Sequence, residues 1–144
     1  MLHDSDEVRL GDVVLVAHIT PGHTRGCTTR TMKVVDGGRT YDVAIIGSPN
    51  VNSEYKLVGN AQYPQMAKDF ERTFQTLNSI PCDIFLGAHG SYFGLEEKYS
   101  RLKKGGANPF VDPAGYKSYV ADTGRRRSGR SCGGRRGNNS EFKG

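Results

Sequence analysis

The 144-residue sequence contains no tryptophan, and only 35% of its residues are hydrophobic. It contains no run of about 18 apolar residues, so no transmembrane helix is predicted. The first seven residues are acidic and polar. This start does not fit a secretory signal, because such a signal has basic residues followed by an apolar stretch. The length suits one domain of ordinary size with a modest hydrophobic core.

Cysteine is also scarce, since Cys27, Cys82 and Cys132 are the only three in the sequence. An odd number of cysteines without CxxC spacing excludes a complete disulfide framework and gives no zinc-ribbon pattern. We therefore predict that Cys27 and Cys82 are free, buried thiols.

Excess basic charge is absent from most of the chain, although the formal net charge is +5. Residues 1–122 hold 13 basic and 14 acidic side chains, whereas residues 123–144 hold seven basic and one acidic. The second segment is rich in Arg and Gly and has no apolar periodicity, which predicts a disordered basic tail. Such a tail either binds nucleic acid non-specifically or has no role. The second interpretation is favoured, because basic runs bind nucleic acid on charge alone.

Short apolar segments between turn residues predict a mixed α/β fold. The predicted strands are residues 13–20, 28–35, 41–47 and 83–86. The second and third strands should form a hairpin, because the Asp-Gly-Gly sequence at 36–38 suits a tight turn. Helices are predicted over residues 64–77 and 93–103, with a weaker helix after Pro113. The first helix has one apolar stripe formed by Met66, Phe70, Phe74 and Leu77.

Two histidines follow predicted strands in tight, glycine-containing turns. His23 lies in TPGHT at residues 20–24, and His89 lies in GAHG at residues 87–90. Loops at strand ends often carry functional side chains, and imidazole is a common zinc ligand. The residues alone leave two possibilities open, a zinc site or two structural or exposed histidines. His18 is predicted to be a strand residue on the face opposite to His23, and His3 is a poor ligand candidate near the terminus.

Several separated motifs resemble one protein family. The segment TPGHTRGCTT at residues 20–29 is similar to the second metal-ligand motif of the metallo-β-lactamase superfamily. The segment IGSPNVN at 46–52 resembles subclass B3, which has Ser where other β-lactamases of the superfamily have a Cys ligand. The segments 77–90 and 108–112 also fit that subclass. The resemblance covers roughly residues 5–122 and the combination is specific to subclass B3.

This resemblance implies a fold and a function. Residues 1–122 would form the C-terminal half of a four-layer αβ/βα sandwich. His23 and His89 would each ligate one of two zinc ions, and Ser48 would hold a water or a substrate group. In the family the two zinc ions activate a shared water that attacks the lactam carbonyl. The expected function is therefore a zinc-dependent β-lactam hydrolase of the antibiotic-resistance type, which is periplasmic or secreted in complete family members.

One part of the family pattern is missing. The sequence contains no His-x-His-x-Asp-His motif, which supplies the other four ligands. A catalytic zinc ion usually has three protein ligands and a water. We therefore expect a truncated fragment with weak or absent zinc binding and no activity on its own. Its sheet should keep one uncovered apolar face, which promotes self-association.

Two alternatives to the β-lactam hydrolase stay open. The first is another metallo-hydrolase of the superfamily, acting on a thioester or a phosphodiester. The second is a non-catalytic half-domain with a nucleic-acid-binding tail. Nucleic acid is a disfavoured partner, and no membrane association is expected.

Overall fold

The computed structural model describes residues 2–131, with side chains described for residues 2–126. The strands are β1 (Glu7–Leu10), β2 (Val13–Ile19), β3 (Thr28–Asp36), β4 (Arg39–Ile46) and β5 (Ile84–Gly87). The helices are α1 (Met66–Ser79), α2 (Leu95–Leu102) and α3 (Pro113–Ser131), and a short 3₁₀ helix spans Gly90–Tyr92. This order confirms the predicted mixed α/β fold. None of the helices in the described part of the chain is both long and apolar enough to cross a membrane.

The five strands form a single sheet in which they lie in sequence order. The three consecutive pairs from β1 to β4 are antiparallel, and β5 pairs in parallel with β4. A parallel partner requires a crossover connection, which contains α1. The predicted hairpin between β3 and β4 is confirmed, since Asp36 pairs with Arg39. Its two turn residues, Gly37 and Gly38, have φ values of 56° and 77°, which residues other than glycine rarely adopt.

Strand β1 was not predicted from the sequence. It has only four residues, all exposed, and two of them are charged. It pairs with β2 through the register of Val8 with Leu15. Its pattern carries no signal of burial because it is an edge strand, and edge strands are often short and charged.

Helix α1 packs on one face of the sheet through the predicted apolar stripe. Met66, Phe70, Phe74 and Leu77 are all buried. They join a core cluster that includes Ala44, Ile46 and Phe85 from the sheet and Tyr116 and Val120 from α3. Burial of each large apolar side chain stabilises the fold by about 1.5–3 kcal/mol. The Tyr116 hydroxyl donates a hydrogen bond of 2.6 Å to the Leu77 carbonyl, which fixes α3 against α1.

The opposite face of the sheet is also apolar. Because side chains alternate along a strand, the residues between those of the core cluster point away from the helices. The paired positions Met32, Val43 and Ile84 lie on this second face. Leu15, Met32, Ile45 and Ile84 are only partly buried there. We call this surface the second sheet face, and the sheet residues of the core cluster all lie on the helix side.

Helix α3 is longer than the sequence predicted. It continues to Ser131, so it includes the first residues of the segment 123–144 that was predicted as a tail. Packing explains the continuation, because Val120 and Thr123 are buried and a Cβ at Gly124 would contact the Phe74 ring at 3.5 Å. The rest of the predicted tail, residues 132–144 with Cys132, lies outside the described residues. A domain boundary at residue 122 stays a prediction.

Candidate metal centre

The loops that carry the predicted site residues meet at one edge of the sheet. Strands β2 and β4 run in the same direction because each is antiparallel to β3, and β5 is parallel to β4. The carboxyl ends of these three strands therefore lie at the same edge. His23 follows β2, Ser48 follows β4 and His89 follows β5.

The turn that carries His23 is held against α1 by two contacts. The Thr73 hydroxyl donates a hydrogen bond of 2.6 Å to the Pro21 carbonyl, and both residues are buried. Gly22 has a φ of 130° and lies against the Phe70 ring, where a Cβ would approach to 2.7 Å. Only glycine fits both the backbone angle and this close approach. The Pro-Gly-His sequence is thus explained by packing that fixes the direction of the His23 side chain.

The half-buried His23 imidazole is oriented by the loop after β4. Its Nδ1 lies 3.2 Å from the Asn50 carbonyl and 3.1 Å from the Tyr55 hydroxyl. The Tyr55 hydroxyl also lies 3.2 Å from the His23 carbonyl, to which it donates. A carbonyl oxygen can only accept, so Asn50 selects the tautomer with the proton on Nδ1. Nε2 then keeps its lone pair, which is the arrangement of a metal-ligating histidine with a backbone partner.

Ser48 is fixed through both its side chain and its backbone. Its hydroxyl lies 3.2 Å from the Tyr92 hydroxyl. Its backbone N–H donates to the Cys27 sulfur at 3.3 Å. The preceding Gly47 allows this contact, because a Cβ there would lie 2.6 Å from the same sulfur.

His89 is exposed and packs edge-on against the Tyr92 ring, with 5.1 Å between the ring centroids. Tyr92 in turn stacks on Tyr119 at 5.5 Å. The structure therefore brings Ser48 and His89 into contact with one tyrosine. His23 contacts Asn50, two residues after Ser48, so His23 and Ser48 meet at the loop that follows β4, and His89 is connected to it through Tyr92.

The remaining histidines have other side-chain partners. His18 lies in β2 with its Nε2 2.9 Å from the Thr31 hydroxyl, so it is a strand residue as predicted. His3 is exposed and its Nδ1 lies 3.4 Å from an Asp6 carboxylate oxygen. Within residues 2–131, no group of three or more His, Cys, Asp or Glu side chains could hold a metal ion. His23 and His89 therefore suit zinc by their donor type, but only as members of a larger ligand set.

Both cysteines with described positions are free, as predicted, but they are partly buried and not fully buried. Burial raises the pKa of the Cys82 thiol to about 11, so it stays protonated at neutral pH. Cys27 instead lies beside Ser48, which connects it to the candidate site.

Three supporting residues were missed in the sequence analysis, namely Tyr55, Tyr92 and Thr73. Tyr55 and Thr73 contact the His23 turn from 32 and 52 residues away, and Tyr92 reaches Ser48 across 44 residues. Such separations leave no periodic pattern. The available signal was weak: Tyr55 is an aromatic residue in a polar loop, and Tyr92 follows His89 by three residues.

No family model matches the sequence, but solved structures match it along most of its length. The FEZ-1 metallo-β-lactamase from Legionella gormanii is 51% identical, with a TM-score of 0.88 over 90% of this chain and 50% of that chain. BJP-1, a subclass B3 enzyme of Bradyrhizobium japonicum, is 32% identical, with a TM-score of 0.84 over 90% and 49% of the two chains. A metallo-β-lactamase from Cronobacter sakazakii is 34% identical, with a TM-score of 0.83 over 90% and 49%.

The sheet with helices on one face matches one half of the metallo-β-lactamase fold. Within that class, the chain matches the C-terminal half of subclass B3 metallo-β-lactamases, as the sequence motifs predicted. It spans about half the length of the relatives that it matches.

Proposed function

We propose that this chain supplies His23, His89 and Ser48 to the two-zinc site of a β-lactam hydrolase. The observation that carries the proposal is the orientation of His23. Its Nδ1 faces the Asn50 carbonyl, which leaves Nε2 available at the same sheet edge as the other two residues. Neutral imidazole with a fixed tautomer is the form that zinc requires.

When bound, two zinc ions supply an activated water and stabilise the charge that develops during hydrolysis of an amide. The chain's own residues orient and bind. His23 and His89 each present one imidazole as a ligand. The Ser48 hydroxyl, held by Tyr92, holds a water or a polar group of the substrate by a hydrogen bond.

The remaining ligands must come from a second half that carries the His-x-His-x-Asp-His motif, because these 144 residues contain none. The second sheet face is where we place that half. Its partly buried apolar side chains, such as Met32 and Ile45, suit contact with another sheet. We propose that the chain alone binds zinc weakly or not at all, and that a complete enzyme is periplasmic or secreted and accepts β-lactams.

Reassembly tests this proposal. The chain is co-expressed with the N-terminal half of the FEZ-1 enzyme of Legionella gormanii, its 51%-identical relative. Hydrolysis of a chromogenic cephalosporin is measured for each half alone and for the purified complex, with and without zinc. We expect turnover only for the complex with zinc. His23→Ala and His89→Ala should each lower it at least about 100-fold, because each removes a metal ligand.

His18→Ala is the matched control, because His18 bonds Thr31 within the sheet and should leave turnover within about threefold. A folded, zinc-loaded complex without β-lactam turnover would contradict the proposal. So would equal effects of the His18 and His23 variants. Turnover of a thioester or a phosphodiester instead would favour another hydrolase of the superfamily.

A further inference from the structure

Helix α2 keeps its apolar residues exposed and buries a lysine. Its apolar residues Leu95, Tyr99 and Leu102 are 42%, 53% and 43% exposed. The buried side chain of the helix is Lys98, whose Nζ lies 2.9 Å from the Asp112 carboxylate. Lys98 therefore attaches α2 to the fold by an ion pair, while the three apolar side chains of the helix stay about half exposed.

The three exposed residues form one stripe along the helix, which we call the α2 stripe. Their spacings of four and three residues place them within about 60° of one another, at about 100° per residue. An apolar stripe on a surface helix usually faces the core or a partner. Lys98 lies about 40° from Leu102 around the helix axis, so the stripe borders the buried side of the helix. Its exposed area is available to a partner.

Charges beside the α2 stripe indicate which partner fits. Glu96 and Lys103 both lie on the same flank of the stripe, about 100° and about 80° from Leu95. Lys103 continues the helical backbone, with φ −64° and ψ −22°, and its Nζ lies 4.6 Å from the Tyr99 ring centre. The acidic residue is at the beginning of the helix and the basic residue is at its end.

This order is self-complementary about a two-fold axis. When two α2 helices pack antiparallel with their Tyr99 side chains at the centre, Leu95 of one faces Leu102 of the other. The same rotation keeps each flank on its own side, so Glu96 of one copy faces Lys103 of the second copy. A two-fold interface repeats this pair twice. A hollow lined by Gly90, Gly94 and Leu95 at the beginning of α2 gives space for Leu102 of the second copy.

We propose that the α2 stripe is a homodimer surface, and that its occupant is α2 of a second copy of this chain. This interface is separate from the second sheet face, and its hollow begins at Gly90, next to the proposed ligand His89. It is short, because α2 has eight residues. A contact of this size is below the standard interface area, so we expect a weak dimer with a Kd of about 10–100 μM.

Sedimentation equilibrium of the full chain at several concentrations tests the proposal. Leu102→Glu should raise the dimer Kd at least about tenfold, because it places a charge in the stripe. Val58→Glu is the matched control, since Val58 is 68% exposed and lies outside α2. Glu96→Lys and Lys103→Glu should each raise the Kd about threefold, and the double variant should restore it. That restoration is specific to the antiparallel pairing.

A chain that stays monomeric at several hundred micromolar would overturn the proposal. Association that survives Leu102→Glu would also overturn it, and would assign self-association to another surface such as the second sheet face. Failure of the reassembled enzyme to hydrolyse β-lactams has no bearing on this result, because sedimentation needs neither zinc nor substrate. Circular dichroism of each variant checks that α2 is still folded.

Discussion

The Tyr92 hydroxyl lies 3.2 Å from the Ser48 hydroxyl, which links the turn after β5 to the loop after β4. The backbones of these segments are already adjacent, because Ile46 pairs with Gly87 at the ends of the two strands. Gly87 permits the contact, since a Cβ there would lie 2.8 Å from the Tyr92 ring. The proposed substrate-binding hydroxyl and the proposed ligand His89 are thus positioned by the same side chain.

Tyr92→Phe should remove this link and leave the ring contacts in place. We expect the free energy of unfolding of the chain to fall by about 0.5–1.5 kcal/mol, as for loss of one hydrogen bond. In the reassembled enzyme the variant should raise KM more than it lowers kcat, because Ser48 loses its orientation. Urea denaturation and steady-state kinetics measure the two effects. Tyr99→Phe is the control, and equal results for both variants would contradict a role for the link.

Gly22→Ala should be one of the most damaging substitutions at the candidate site. Gly22 has a φ of 130°, and a Cβ would lie 2.7 Å from the Phe70 ring. Strain and overlap act together, so we expect a loss of about 2–4 kcal/mol in the free energy of unfolding. Urea denaturation of the chain measures it.

Gly26→Ala is a matched control in the same loop, because nothing lies within 4 Å of the Cβ position there and its φ is not positive. This variant should change stability by less than about 0.5 kcal/mol. Equal stabilities of the two variants would show that the Phe70 contact does not constrain the His23 turn.

Thr73→Val should loosen the His23 turn without changing the shape of α1. The substitution removes the hydrogen bond of 2.6 Å to the Pro21 carbonyl and leaves that buried oxygen without its donor. We expect a loss of about 1–3 kcal/mol. Thr73→Ser keeps the hydroxyl and should recover most of the hydrogen-bond energy. A serine variant as unstable as the valine variant would show that packing of the methyl group, and not the hydrogen bond, is what matters.

The fold was predictable from the sequence where a local pattern indicates buried positions or a specific turn. The stripe of α1 and the Asp-Gly-Gly turn are such patterns, and both are confirmed. Strand β1 and the end of α3 carry no such pattern. Strand β1 is an exposed edge, and α3 continues beyond residue 122 because Thr123 and Gly124 pack against other elements. Tertiary contacts determine both strand β1 and the end of α3, and these contacts cannot be read from composition alone.

The residues of the candidate site were likewise predictable only where a local sequence pattern marks them. His23 and His89 were found because a histidine between a strand and a glycine turn is a local feature. Ser48 was selected by resemblance to subclass B3, since a serine in a polar loop has no distinctive pattern of its own. The roles proposed for these three residues stay predictions. Tyr55 and Tyr92, which hold them, depend on the sheet register and become visible only in three dimensions.

The ion pair that attaches α2 should make stability depend on pH in the acid range. A hydrogen bond from Lys98 and a second one from the Gly115 N–H hold the pKa of Asp112 below its ordinary value of 3.8. A carboxyl group whose pKa is lower in the folded state stabilises the fold above the unfolded pKa, and this contribution is lost as the pH falls through the folded pKa. Asp112→Asn should therefore be less stable than the wild type at pH 7, by about 1 kcal/mol because the carboxylate is partly exposed.

The difference between the wild type and Asp112→Asn should shrink as the pH falls below the ordinary pKa of 3.8, and it should disappear once the pH is below the folded pKa. Urea denaturation at a series of pH values measures it. Asp12→Asn, at an exposed position, is the control. A difference that stays constant from pH 7 to the acid range would contradict the ion pair as its cause, because an effect of side-chain shape does not titrate. The hydrogen bond from the Gly115 N–H would survive in the asparagine variant. The pH-dependent part of the stability difference therefore measures the ion pair between Lys98 and the Asp112 carboxylate.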